Sequence, residues 1–110
     1  MDAKAYADAE PLLRESVALG KKHAPDAWDT HRAKSLLGAA LLGQKKYAEA
    51  EPLLVHGFEG MEKLQSQEAH AVIVWRAEAL ERVVQLYVAW DKLDTAAEWR
   101  RKQEASPRKE

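Results

Sequence analysis

The sequence predicts an all-α fold made of repeated antiparallel helix–turn–helix units. One segment occurs twice: residues 6–13 read Tyr-Ala-Asp-Ala-Glu-Pro-Leu-Leu, and residues 47–54 read Tyr-Ala-Glu-Ala-Glu-Pro-Leu-Leu. Seven of the eight positions are identical and the copies lie 41 residues apart, a spacing typical of solenoid repeats. Only five glycines and four prolines occur in 110 residues, which leaves long segments free to be helical.

The first helix is predicted for residues 6–22. Its apolar residues recur every three or four positions, so Leu12, Leu13 and Val17 are expected to pack against the second helix. Pro11 would break a helix interior, and it is therefore expected in the first turn, where its missing N–H costs little.

The second helix is predicted for residues 26–42, with Pro25 and Asp26 at its start and Gly43 as its C-terminal stop. Three further helices are predicted for residues 47–64, 69–90 and 93–105. The five helices form one domain over residues 1–105, consisting of half a repeat (5–22) and two repeats (26–64 and 69–105). Residues 106–110 are expected to be a charged, disordered tail.

Charge and composition narrow the functional classes. Seventeen basic and eighteen acidic residues give a net charge of -1 and a pI of about 6.4, which offers no electrostatic attraction to nucleic acid. No apolar run reaches the roughly 18 residues of a membrane span, and no signal peptide is recognisable at the N-terminus, so a cytoplasmic location is expected. The chain starts in the middle of a repeat unit, and we interpret it either as a short protein or, in preference, as a fragment of a longer one.

Catalytic and metal-binding patterns are missing from the sequence. The histidines show no i,i+4 pair of the kind that aims two ligands at one ion: His23, His31, His56 and His70. The chain has no cysteine, and no serine lies in a Gly-x-Ser-x-Gly context. We therefore expect no enzymatic activity, no cofactor and no metal.

The helix pairs resemble a known repeat. Leu37-Gly38-x-x-Leu41 is followed after a turn by Tyr47-x-x-Ala50-x-x-x-Leu54, and this pattern is similar to the tetratricopeptide repeat. Val83-Val84-x-x-Tyr87, followed by Leu93-x-x-Ala96, has the same spacing. The resemblance implies a right-handed stack in which adjacent helices meet closely at one small residue per unit: Ala9, Ala50 and Ala96.

The longer period resembles a particular group of these proteins. The Tyr-Ala-Glu-Ala-Glu-Pro-Leu-Leu segment is similar to the extended repeats of kinesin light chains, which also occur in C-terminal regions of bacterial serine/threonine kinases. In those kinases the last helix often reads like residues 96–102. This resemblance implies an accessory region of a bacterial signalling protein.

Tetratricopeptide repeats bind partner peptides or helices in a concave groove lined by the first helix of each pair. Carried over by position, the resemblance assigns these residues to a partner-binding groove: Arg32, Ser35, Leu36, Ala39, Leu42, Glu78, Glu81, Arg82 and Gln85. Chaperone-binding members clamp a terminal carboxylate with lysine and asparagine at four such positions. Those positions hold Ser35, Ala39, Glu81 and Gln85, so the clamp is absent.

Two functions therefore stay open. The first is a non-catalytic scaffold that binds a protein or peptide partner, and the second is a homo-oligomerisation module. Consecutive apolar residues cannot all point inward from one helix, so Val72, Ile73 and Trp75 are candidates for an oligomer interface. The outer flank of the first helix is the other candidate for a homodimer interface.

Overall fold

A computed structural model describes residues 3–63 and 70–105, and every regular element within these ranges is an α-helix. The helices are α1 (Ala3–His23), α2 (Trp28–Gly43), α3 (Tyr47–Lys63), α4 (His70–Ala89) and α5 (Leu93–Ala105). The all-α prediction is confirmed. The predicted link at residues 65–68 and the predicted tail at 106–110 lie outside the described residues.

Two predicted helix starts are wrong. α1 begins at Ala3, so Pro11 lies in its interior rather than in its first turn. The alanine-rich start of the chain has high helix propensity and extends the helix ahead of the proline. α2 begins at Trp28, two residues later than predicted, because Ala24 to Ala27 form a turn closed by a 3.1 Å hydrogen bond from the Ala27 N–H to the Ala24 carbonyl.

Two turns end their helices in the same way. Lys45, after α2, and Asp91, after α4, have positive φ angles of 64° and 60°. The Lys46 N–H donates to the Leu41 carbonyl at 2.9 Å, which is the long hydrogen bond of a Schellman motif. Gly43 was expected to stop α2, but it is the last helical residue, and Lys45 adopts the left-handed conformation instead.

The α2–α3 pair has the closest backbone contacts. A Cβ on Gly57 would lie 2.9 Å from the His31 carbonyl oxygen, and one on Gly38 would lie 2.6 Å from Leu54. Contacts near the start of α2 therefore involve the end of α3, so the two helices are antiparallel. Gly38 and Gly57 therefore let the two helices approach closely.

The first copy of the repeated segment attaches α1 to the end of α2. The Tyr6 ring packs against Gly43, where any side chain would overlap it. The Glu10 carboxylate accepts hydrogen bonds from Gln44 Nε2 at 2.8 Å and Arg14 Nε at 2.7 Å. These two donors hold the pKa of Glu10 down to about 2.

The second copy attaches α3 to the end of α4 with the same two residue types. The Tyr47 and Trp90 rings lie 6.0 Å apart between centroids. The Tyr87 hydroxyl donates a 2.8 Å hydrogen bond to the Glu51 carboxylate, and burial together with this carboxylate raises the pKa of Tyr87. In both copies, the tyrosine and the glutamate therefore attach one helix to the C-terminal end of the helix that follows it.

Most of the core lies between α2, α3 and α4, and its fully buried large side chains include Leu41, Leu54 and Leu86. Ala50 and Ala96 are buried as expected, whereas Ala9 is only half-buried. Leu12 is 69% exposed, so the expectation that it packs against α2 is wrong. No helix within the described ranges is long and apolar enough to cross a membrane.

We expect Ala50→Phe to lower the free energy of unfolding by about 1–3 kcal/mol, because Ala50 is fully buried and a larger ring overpacks the site. Urea denaturation followed by circular dichroism measures the change. Ala48→Phe, on the exposed side of the same helix turn, is the control and should change stability little. Equal stability of the two variants would contradict the packing described for Ala50.

We expect Lys45→Gly to raise the free energy of unfolding by up to about 1 kcal/mol, because glycine adopts positive φ without the steric cost of a Cβ. The same denaturation measurement applies. Lys45→Ala removes the same side chain but keeps the Cβ, and should give no stabilisation. A stabilisation of similar size by alanine would show that the lysine side chain, and not the backbone angle, is responsible.

Candidate partner-binding surface

The α2 and α4 helices lie side by side although α3 separates them in the chain. Arg82 Nη1 donates a 3.2 Å hydrogen bond to Ser35 Oγ, and the Arg32 guanidinium lies 4.3 Å from the centroid of the Trp75 ring. Arg32 precedes Ser35 on α2, and its partner Trp75 precedes Arg82 on α4. The two helices therefore run parallel. Their side chains therefore contribute to one shared surface.

An aromatic cluster joins the first turns of α2 to α4. The Trp28 and Trp75 rings stack with centroids 4.6 Å apart and an interplanar angle of 26°. Arg32 lies one turn after Trp28, so its guanidinium reaches the same Trp75 ring. Trp28 was not among the predicted site residues, although its i,i+4 spacing from Arg32 was a usable signal.

Most of the predicted groove residues have exposed or half-exposed side chains. Half-exposed members on α2 are Arg32, Leu36, Ala39 and Leu42, and exposed members on α4 are Glu78, Glu81 and Gln85. Ser35 does not fit the expectation, because it is fully buried and cannot touch a partner. Its hydroxyl accepts the hydrogen bond from Arg82 of α4, and its backbone lies beside Gly57 of α3, where a Cβ would come within 3.1 Å of the Ser35 nitrogen.

The charged groups of this surface are of mixed sign. Burial lowers the pKa of Arg82, whereas the nearby Glu78 carboxylate opposes this change, and the arginine remains positively charged at neutral pH. Glu81 accepts hydrogen bonds from Gln103 Nε2 at 2.6 Å and from Gln85 Nε2 at 3.4 Å. The surface thus offers half-exposed leucines with cationic and anionic groups beside them.

The predicted oligomer face on α4 is largely occupied within the chain. Trp75 is half-buried beneath Trp28 and Arg32, and Ile73 is also half-buried. The side chain of Val72 lies outside the described residues. Val74, which was not among the three candidates, is the residue of this run that is 38% exposed.

A polar cleft lies between the start of α2 and the helix α3. It is lined by Asp26, His31, His56, Glu59, Gly60 and Lys63. His31 packs against Gly60, and its Nδ1 atom has no hydrogen-bond partner among the described residues. Within these residues, no group of three or more histidine and carboxylate side chains is arranged to hold a metal ion.

We expect the chain to lose stability as the pH falls below the ordinary histidine value of 6.5, because burial, reinforced by Lys34, lowers the pKa of His31. The folded protein keeps His31 neutral, whereas the unfolded chain binds the proton. His31→Leu should reduce the loss of stability between about pH 7.5 and about pH 5.5. Urea denaturation at several pH values measures the slope.

The matched control is His56→Leu, because the His56 side chain is exposed in the same cleft. This variant should keep the pH dependence of the natural chain. If both variants keep that dependence, His31 is not its source.

Comparison of the chain with known protein families, with curated proteins and with solved structures finds no match. The geometry of α2 and α4 is therefore the main observation that bears on function.

Proposed function

We propose that the chain is a tetratricopeptide-like, right-handed helical-repeat module that binds a protein or peptide partner across the α2–α4 surface. The observation that carries the proposal is the parallel, side-by-side contact of α2 and α4, marked by the Arg82–Ser35 hydrogen bond. In repeat proteins of this kind, equivalent helices stack in this way and their exposed side chains form one continuous binding surface.

A second pair of alternate helices supports the repeat arrangement. The Phe58 and Trp99 rings of α3 and α5 meet edge to face with centroids 5.9 Å apart. Glu62 lies four residues after Phe58 in α3, and Lys102 lies three residues after Trp99 in α5. These two side chains form a 3.7 Å ion pair. The helices α3 and α5 therefore also run parallel, as expected if one structural unit repeats along the chain.

The chemistry of the surface favours a peptide with an apolar anchor and at least one charged residue. Leu36 and Leu42 are half-exposed, so an apolar side chain of the partner can bury further area against them. Arg32 and Glu78 can orient charged groups at either side. We place this module in the cytoplasm as part of a larger bacterial signalling protein, with no nucleic-acid or membrane ligand.

The proposal is tested by selecting peptides from a random-sequence phage library on the immobilised chain. Affinities of the enriched synthetic peptides are then measured by fluorescence polarisation. We expect Leu36→Asp to weaken binding by roughly tenfold or more, because a charge replaces an apolar contact in the partner interface. Circular dichroism checks that the variant keeps the helical content of the natural chain.

The matched control is His56→Asp, which places the same charge on the exposed face of α3. It should leave peptide affinity unchanged. The proposal is wrong if no peptide is enriched, or if the selected peptides lose affinity for the control variant but keep it for Leu36→Asp.

A further inference from the structure

One side of α1 carries an exposed stripe, which at Leu19 borders a groove between α1 and α2. Leu12 and Leu19 are 69% and 51% exposed and lie seven residues apart. Three exposed charged residues, Asp8, Glu15 and Lys22, alternate with them at spacings of three and four. Residues with these spacings share one face of a helix, as in coiled-coil helices. We call these five residues the α1 stripe.

The charges of the α1 stripe are unused within the described part of the chain, whereas those on the opposite face of α1 are engaged. Glu10 accepts hydrogen bonds from Arg14 and Gln44, and Arg14 also lies 3.8 Å from the Glu49 carboxylate. Asp8 and Lys22 make no such contact to any described residue. An exposed pair of leucines with free charges around it is a surface suited to a partner.

Comparison with α3 indicates that the α1 stripe serves a contact outside the chain. At an offset of 41 residues, Leu19 corresponds to Gly60 and Leu12 to Leu53. Gly60 is buried against His31, and Leu53 packs on the core. The equivalent positions on α3 are therefore covered by the chain itself, while both leucines of α1 are left in water.

We propose that the α1 stripe binds a second copy of this chain, with the two α1 helices antiparallel across a two-fold axis. In this arrangement Leu12 of each copy faces the partner's Leu19, and Asp8 faces the partner's Lys22 and His23. Glu15 of each copy lies beside the partner's Glu15 near the two-fold axis, and this like-charged pair opposes association. Such an interface is isologous, so each contact occurs twice.

The charge distribution of α1 selects the antiparallel orientation. Asp8 lies near the start of the helix, whereas Lys21, Lys22 and His23 form its last turn. A parallel pair would place Asp8 beside Asp8 and Lys22 beside Lys22. An antiparallel pair instead places each Asp8 beside the basic turn of the other copy and also opposes the two helix dipoles, whereas the Glu15 contact is the same in both orientations.

A single pair of helices forms an interface at the small end of the range for specific complexes, so the dimer is weak and depends on concentration. Sedimentation equilibrium between about 10 and about 300 micromolar should show a mass that rises from 12.4 kDa toward twice that value. Leu12→Glu together with Leu19→Glu should abolish the rise while the far-ultraviolet circular dichroism spectrum stays the same.

The matched control is Leu93→Glu, since Leu93 is 58% exposed on α5, outside the proposed interface. This variant should associate like the natural chain. Leu19 lies in one groove with Arg32 and Leu36, so the leucine variants are not used to judge peptide binding. The Asp8 and Lys22 variants should leave peptide binding to the α2–α4 surface unchanged, so dimerisation and peptide binding can fail separately.

Charge exchange tests the orientation. Asp8→Lys alone and Lys22→Asp alone should each weaken self-association by roughly tenfold, because both symmetric charge pairs become repulsive. A mixture of the two variants should associate again, since each lysine then meets an aspartate. The double variant carrying both changes should also recover association.

A single species near 12.4 kDa up to about 300 micromolar would overturn the proposal. A dimer that survives the double leucine substitution would also overturn the proposal. So would a dimer that the Leu93→Glu substitution dissociates. Failure of the mixed charge variants to associate would exclude the antiparallel orientation.

Discussion

The close contact between α2 and α3 is the constraint on which the rest of the fold depends. At Gly57 the backbone of α3 lies so near α2 that no Cβ fits without displacing the main chain of His31. Because a backbone cannot rotate away as a side chain can, this contact fixes the distance between the two helices. Ser35 lies within the same contact, and its hydroxyl provides the polar point that Arg82 of α4 reaches.

The same contact explains the form of the proposed partner-binding surface. Because Ser35 is buried, this surface of α2 is formed by residues near it in the helix, among them the half-exposed Leu36 and Ala39. The position of α4 is then set from two sides, by Arg82 at one level and by the Trp28–Trp75 stack at another. A surface built in this way is held by packed residues and needs little ordering when a partner binds.

The sequence predicted all five helices, most clearly α1 and α3, whose apolar residues recur at helical spacing, and it predicted the helix ends less well. Local propensity is weak evidence where it competes with the rest of the fold: Pro11 was placed at a helix start, yet an alanine-rich segment extends α1 beyond it. Position along a helix also does not reveal what covers a residue. Leu12 was expected to pack against α2 but is exposed, whereas Ser35 was expected to line the groove but is buried.

The contacts between the helices determine how the chain unfolds locally. Within the described ranges, α1 has backbone contacts with α2, and α5 has them with α4, whereas α2 and α4 each contact three other helices. Structures that are connected mainly to their neighbours unfold in segments rather than all at once. Backbone amides of α2, α3 and α4 should therefore exchange their hydrogens most slowly, and the outer helices α1 and α5 can detach while the centre stays folded. Any partner that covers α1 would then slow exchange throughout that helix, including at residues it does not touch.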